Sequence, residues 1–361
     1  MRVDRLDDLR RRMAQAGTDL VVLPPGEDFL YLTGRSPLRD ERACFLLISS
    51  DQALLLVPRL QVGELAPLGL PLFPYADAEG PARAAQEAVR AVGRVRTVAV
   101  ADDLRADHLL LLQELLPDAR FTLASSLLAP LRMRKDPEEL DALRRSAAAA
   151  DAGVLAAARS CRPGVSEHEV AEAAGTAMKQ AGAEEVLFTL VASGPNSAFP
   201  HHRTSLRPLQ AGEPVLVDLG SRVWGYCSDL TRMVLLGPPP ESYREVHGIV
   251  EEAVQAALEV IRPGIPLGEV DRAARQVIAK AGYADRFVHR TGHGLGLAPH
   301  EPPSVTEPNP TLLCEGMVFT VEPGIYLPGA FGVRLEEAII VHPTGPEVLS
   351  RLGREALEGS V

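Results

Sequence analysis

The sequence predicts an α+β chain of two domains: a smaller α/β domain over residues 1–130, then a larger one over 131–361 built as a pseudo-twofold repeat. Three observations point there. Helix-like and strand-like patterns alternate through the first 130 positions. Around residues 130–137 the pattern changes and a long Ala-rich helical stretch begins. Beyond it, a turn, an amphipathic helix and a pair of strands occur twice, about 100 positions apart. The length, 361 residues, agrees with two or three domains and with a core that needs no covalent staples.

Residues 3–15 read as an amphipathic helix ended by Gly17. Apolar runs at 20–23, 43–48, 53–57 and 97–100 read as strands between Gly, Pro and charged turns. Helical patterns lie near 81–92 and 106–115. The segment 34–42, GRSPLRDER, is unusually charged for a connection between strands and reads as a solvated turn. In LRMRKDPEELDALRRSAAAADAGVLAAARS, Asp136 is placed as an N-cap, Pro137 takes the first helical position and acids fill the first turn. This predicts a linker feeding a long helix that opens the second domain.

Composition narrows the function. The formal charge is −11, and lysine occurs only at Lys135, Lys179 and Lys280, so no basic surface for nucleic acid is expected. The four cysteines, Cys44, Cys161, Cys227 and Cys314, show no C-x-x-C spacing and read as reduced thiols of a cytoplasmic protein. The amino-terminal stretch MRVDRLDDLRRRMAQAG is charged throughout and lacks the apolar core of a secretory signal. No apolar run reaches the ~18 residues of a membrane span.

The repeat is the most informative feature. Arg162-Pro163-Gly164-Val165 recurs as Arg262-Pro263-Gly264-Ile265, Glu169-Val170 as Glu269-Val270, and Ala181-Gly182 as Ala281-Gly282, each 100 positions on. LQAGEPVLVDLG at 209–220 then parallels LLCEGMVFTVEPG at 312–324, aligning Asp218 with Glu322 at an offset of 104. Gly225 to Asp229 parallels Gly332 to Glu336. Each half therefore supplies one acid on the first strand of a hairpin and one on the second. Four carboxylates meeting at a pseudo-twofold axis do not stay buried and ionised without cations. Hard divalent metals suit carboxylate oxygen, and four carboxylates can bridge two ions ~3.5–4 Å apart.

HRTGHGLGLAPHEPP at 289–303 adds His289, His293 and His300. The glycines at 292, 294 and 296 allow close backbone approach. Dinucleotide binding is not expected, since prolines rather than a helix follow. His293, between two glycines, is the candidate nitrogen ligand. His201 and His300 fall at similar distances after the Ala-Gly of their repeats and are expected to flank the site from opposite halves.

On SGPNSAFPH, VDLGSRVWGYCSDLTR, HRTGHGLGLAPHEPP, FTVEPGIY and GVRLEEA, the chain resembles the pita-bread metallopeptidases, in the prolidase and aminopeptidase P branch. YLTG at 31–34 is similar to that family's creatinase-like N-terminal domain, and LRMRKDPEELDALRRS to its linker helix. The resemblance implies a pita-bread (creatinase/aminopeptidase-like) catalytic domain and a dinuclear site held by Asp218, Asp229, His293, Glu322 and Glu336. Asp229 and Glu336 would bridge both ions, Asp218 would bind one, and His293 and Glu322 the other. It further implies hydrolysis of the bond before proline by a metal-activated water, with Glu322 moving the proton and His201 and His300 binding substrate and oxyanion. Manganese is expected by ligand hardness, with cobalt or zinc as alternatives. A homodimer is implied, with segment 35–42 the candidate to reach the partner's site. Arg334, two residues before Glu336, is either a fork for a substrate carboxylate or a counter-charge for the cluster.

The activity expected is that of an Xaa-Pro dipeptidase, cytoplasmic, acting on small peptides with proline at the second position. An Xaa-Pro aminopeptidase acting on longer peptides is the near alternative. A metal-free creatinase-like amidinohydrolase is disfavoured by the complete ligand quintet, and a methionine aminopeptidase by the extra N-terminal domain.

Overall fold

Helix α1 (Val3–Ala16) buries Leu6, Leu9 and Met13 on one face and stops where Gly17 turns left-handed, at φ 63°. The computed structural model, which describes residues 2–360, divides into two units, Met1–Arg132 and Met133–Val361. In the first unit, six strands form one mixed sheet: β1 (Leu20–Leu23), β2 (Phe45–Ile48), β3 (Ala53–Pro58), β4 (Leu72–Tyr75), β5 (Thr97–Val100) and β6 (Arg120–Leu123), in the order β4-β3-β2-β1-β5-β6. Strands β1 to β3 are antiparallel neighbours buried on both faces, which is why they read as unbroken apolar runs. Helices α2 (Glu27–Thr33), α3 (Val62–Leu65), α4 (Ala82–Val92), α5 (Ala106–Leu115) and α6 (Ser125–Arg132) complete the unit.

Periodicity did not announce β4, β6 or α2. The two strands are sheet edges, half-exposed, and Pro74 denies β4 one ladder donor. Helix α2, EDFLYLT, spans only seven residues, four of them (Asp28, Phe29, Tyr31 and Thr33) of weak helix propensity. The charged segment 34–42 is tied to its own unit: Arg42 makes a two-pronged ion pair with Asp77 at 2.9 Å, and Arg39 bonds Asp103.

The second unit shows the duplication as repeated structure. Its first half runs α7 (Pro137–Ser160), α8 (Glu167–Gln180), β7 (Glu185–Ser193), β8 (Pro214–Val223), β9 (Tyr226–Cys227) and β10 (Leu230–Leu235). Its second half runs α9 (Tyr243–Val260), α10 (Leu267–Lys280), β11 (Gly292–Gly294), β12 (Glu301–Val305), β13 (Val318–Val321), β14 (Gly324–Leu327), β15 (Phe331–Arg334), β16 (Glu337–His342) and β17 (Gly345–Val348), with β18 (Leu357–Glu358) returning to pair with β10. The sheets are ordered β18-β10-β8-β7 and β12-β11-β13-β16-β17, with β14 and β15 as a separate ribbon. Turn bonds repeat as well. Gly164 N–H donates to Leu209 O and Leu209 N–H to Val165 O; Gly264 and Leu313 do the same with Leu313 and Ile265. Two cores form, one around Val154, Val170, Met178 and Val217, the other around Val254, Val270, Ile278 and Phe319, which also takes in Ala192, Leu216 and Met233 of the first half.

Asp136 caps α7 as expected. Its carboxylate accepts Glu139 N–H at 2.9 Å, and Glu139 accepts Asp136 N–H at 2.8 Å. Glu139 also accepts the Tyr226 hydroxyl at 2.6 Å, tying the helix to β9. Arg232 on β10 is fully buried; it donates to Glu336 O at 2.6 Å, to the Glu337 carboxylate at 2.8 Å, and to Leu352 O and Gly353 O at 2.9 and 2.8 Å.

Candidate metal centre

Asp218 lies in the interior of β8, opposite Thr231 on β10 and Leu190 on β7. Asp229 occupies the step between β9 and β10; Glu336 occupies the matching step between β15 and β16. Glu322 directly follows β13, and its backbone N–H donates to Thr291 O at 2.7 Å. His293 is the middle residue of β11, whose glycines are needed for contact: a Cβ on Gly292 would collide with Thr320 O, and one on Gly294 with Pro302 O. Asp271 on α10 accepts the Thr291 hydroxyl at 2.6 Å, fixing the chain two residues before His293.

These five side chains converge. Donor atoms of Asp218, Asp229 and Glu336 lie within 4.8 Å of one another, as do those of His293, Glu322 and Glu336. Glu336 is common to both groups. His293 Nδ1 faces Gly294 O at 3.1 Å, and Nε2 faces Glu322 at 3.2 Å and Asp229 at 3.6 Å. His300 also adjoins the centre: a donor nitrogen falls within 4.8 Å of Asp229 and His293, and its ring centroid is 4.1 Å from that of His293. His201 lines the same cavity, about 690 Å³, which is walled by Phe188, Leu190 and Pro200 and bordered by His202, Arg203, His289 and Arg290.

Arg334 bears on one of the sequence alternatives. It is buried, with Nη2 at 2.5 Å from Asp218, Nη1 donating to Tyr326 Oη at 3.0 Å and Pro200 O at 3.3 Å, and Nε to Thr231 Oγ1 at 3.2 Å. Four of its five N–H bonds are engaged, so no free two-pronged fork remains for a substrate carboxylate. This geometry favours the counter-charge reading of Arg334, with its guanidinium against Asp218. Pattern reading missed Thr231, Thr320 and Tyr326. Thr231 Oγ1 donates to Glu336 at 2.7 Å and Thr320 Oγ1 to Glu322 at 3.1 Å, so each half gives one strand threonine to one acid. For Thr320 the available signal was a lone hydroxyl in an otherwise apolar strand; Thr231 stands beside Arg232 and had no such signal. Tyr326 Oη lies 2.8 Å from His289 Nε2.

The electrostatics call for added positive charge. Burial pushes the Asp218 carboxyl above its usual range, with Arg334 opposing and Glu322 adding to the rise. Burial, then neighbouring carboxylates, push Asp229 and Glu336 well above theirs. Burial would raise Glu322 too, but the hydrogen bond and charge of His293 prevail and hold it at about 2. Asp218 Oδ1 is buried and has no hydrogen-bond partner among the described residues. An orphaned carboxylate oxygen inside four converging acids, with one imidazole nitrogen aimed among them, is a donor set that fits divalent cations.

Residues 141–343 match the model of metallopeptidase family M24. The chain belongs to that family. Residues 5–134 match the creatinase/prolidase N-terminal domain. Among curated relatives, the probable dipeptidase PepE of Mycobacterium tuberculosis is 40% identical over 341 residues, covering 92% of this chain and 90% of the relative. The Xaa-Pro dipeptidase of Pyrococcus furiosus is 33% identical, covering 98% and 99%. The prolidase structure from Thermococcus sibiricus superposes with a TM-score of 0.95 at 34% identity, covering 99% of both chains. An X-Pro aminopeptidase from Thermotoga maritima superposes with a TM-score of 0.82 at 29% identity, covering 96% and 99%. The M24 metallopeptidase fold, with its creatinase-type N-terminal domain, is thus the one expected from the motifs. Membership makes the protein a metallopeptidase, and the carboxylate and histidine cluster is where divalent ions fit.

Proposed function

We propose that this M24 metallopeptidase is an Xaa-Pro dipeptidase, cleaving the bond between an amino-terminal residue and a following proline in dipeptides. The observation that carries this reading is the near full-length match to dipeptidases at 33–40% identity, combined with the convergence of all five ligand residues. Domains are assigned as 1–130, creatinase-like, and 131–361, catalytic. The protein acts as a cytoplasmic homodimer. Among the described residues no helix is long and apolar enough to cross a membrane.

Asp218, Asp229, His293, Glu322 and Glu336 hold two divalent ions, with manganese favoured over cobalt or zinc because four of the five donors are hard carboxylates. When bound, the ions supply the charge that makes a water nucleophilic near neutral pH and polarises the scissile carbonyl. Glu322 accepts the proton released as the water oxygen bonds to the carbonyl carbon. It returns that proton to the proline nitrogen as the C–N bond breaks. His201 and His300 donate hydrogen bonds to the substrate and to the tetrahedral oxygen. Arg334 keeps Asp218 oriented, and Thr231 and Thr320 do the same for Glu336 and Glu322.

Turnover of Ala-Pro against Ala-Pro-Ala with manganese tests the assignment. Cleavage of Ala-Pro with high preference is expected. Cleavage of the tripeptide alone would replace this reading with the aminopeptidase one.

A further inference from the structure

Between β7 and Leu209 the chain leaves the sheet, crosses the cavity wall and returns. Its central feature is a turn over residues 199–202, closed by His202 N–H donating to Phe199 O at 3.0 Å, which carries His201. Loop residues presented to a cavity need fixed ends if one of them is to meet a reacting group repeatedly in one geometry. One end is held by Arg334, which donates to Pro200 O. The other end leads to Glu167.

Glu167 stands in the first turn of α8, is fully buried, and touches neither the cavity nor the carboxylate cluster. Six donors converge on it. Oε1 accepts Ser193 N–H and Ser193 Oγ at 2.8 Å each and Asn196 Nδ2 at 2.9 Å. Oε2 accepts His202 Nε2 at 3.0 Å, Ser205 N–H at 3.1 Å and Ser205 Oγ at 2.6 Å. The first three anchor the chain before the turn; the last three anchor the end of the turn and the chain after it. A buried carboxylate is costly to keep unless it is this fully satisfied. Burial opposes ionisation here, yet the bonds from Ser205, Asn196, Ser193 and His202 prevail and hold the carboxyl below its usual range.

We propose that Glu167 is a positioning residue for His201: by clamping both flanks of the 194–205 segment and drawing the His202 ring inward, it presents His201 to the substrate. This rests on the reading that His201 contacts substrate.

The test is a double-mutant cycle on Ala-Pro hydrolysis with manganese, comparing the parent, His201→Ala, Glu167→Gln and the double variant. Bound metal and melting temperature are followed in each. Glu167→Gln is expected to lower kcat/KM about tenfold with metal content unchanged, and to change it less than about twofold once His201 is alanine. His202→Ala removes only one of the six bonds; it should act in the same direction, more weakly, and again only while His201 is present. If Glu167→Gln does not fold, this second pair decides. Equal losses with and without His201, or no loss in either variant, would overturn the proposal. His201→Ala at parental activity would overturn the assignment of His201 and the proposal with it, a result distinct from additive losses.

Discussion

Asp218 gives one oxygen to Arg334 and leaves the other buried without a partner among the described residues. Asp229 and Glu336 are pushed upward by burial and by each other's neighbours. These acids are held together against their own repulsion, and removing one should be felt in metal content first. Asp229→Ala is expected to lower kcat/KM on the order of a thousandfold or more and to reduce bound metal as read by elemental analysis. Full activity with full metal would refute the site. Thr231 offers a subtler probe, because its hydroxyl serves Glu336 while accepting from Arg334. Thr231→Val should weaken metal affinity about 10- to 100-fold, seen as a rightward shift of the manganese activation curve and of a direct metal titration, with folding intact. The metal-ligand candidates were legible in the sequence because a duplicated spacing put acids at matching points of two hairpins. Glu167, Thr231 and Tyr326 were not, because nothing local to a buried Glu, Thr or Tyr says which distant loop it will meet.

Elements carry that precision to the site. β11 is pressed so closely on its neighbours that glycine is required on both sides of His293. Gly292→Ala should part β11 from β13, lowering activity by more than tenfold together with a drop of several degrees in melting temperature. Activity and melting temperature both unchanged would show that the strands can separate at no cost. The ion pair joining α7 to β17 gives a pH test away from the metal centre. Arg144 donates to Glu347 at 2.6 and 2.7 Å, and His342 lies 2.7 Å from the same carboxylate. The hydrogen bond from Arg144 holds Glu347 down at about 2, against an ordinary value of 4.5. A depressed folded-state value means stability is present above the unfolded value and is lost as pH falls toward the folded one. The difference in urea midpoint between the parent and Glu347→Gln should therefore be largest near pH 6 and shrink from pH 5 downward toward pH 2; a constant difference would exclude the linkage. Solvent reaches both partners, so the effect is modest. Among elements, α7 was legible through its cap and Ala-rich body, whereas β4 and β6 were hidden because edge strands need no continuous apolar run.

For the whole molecule, the formal charge of −11 counts the cluster acids alone, and the two divalent cations of the proposed site, +4 in all, would bring it to −7. Chelator treatment is expected to abolish activity and lower the melting temperature, and manganese to restore both. An unchanged melting temperature on metal removal would argue that the acids are accommodated without cations. The two-unit layout and the duplication were legible as a change of pattern near 130–137 and as a repeat offset, since both are long-range regularities rather than single residues. One consequence follows from Arg232. Its guanidinium joins Glu336 O to Leu352 O and Gly353 O, and β18 then lies along β10. Residues 350–360 thus form a strap that reaches the site through Arg232. Trimming by a carboxypeptidase as far as Ser350 would strip an edge strand and remove Leu352 O and Gly353 O, two of the acceptors of the buried Arg232 guanidinium. Such trimming should silence the enzyme although every ligand residue is still in the chain.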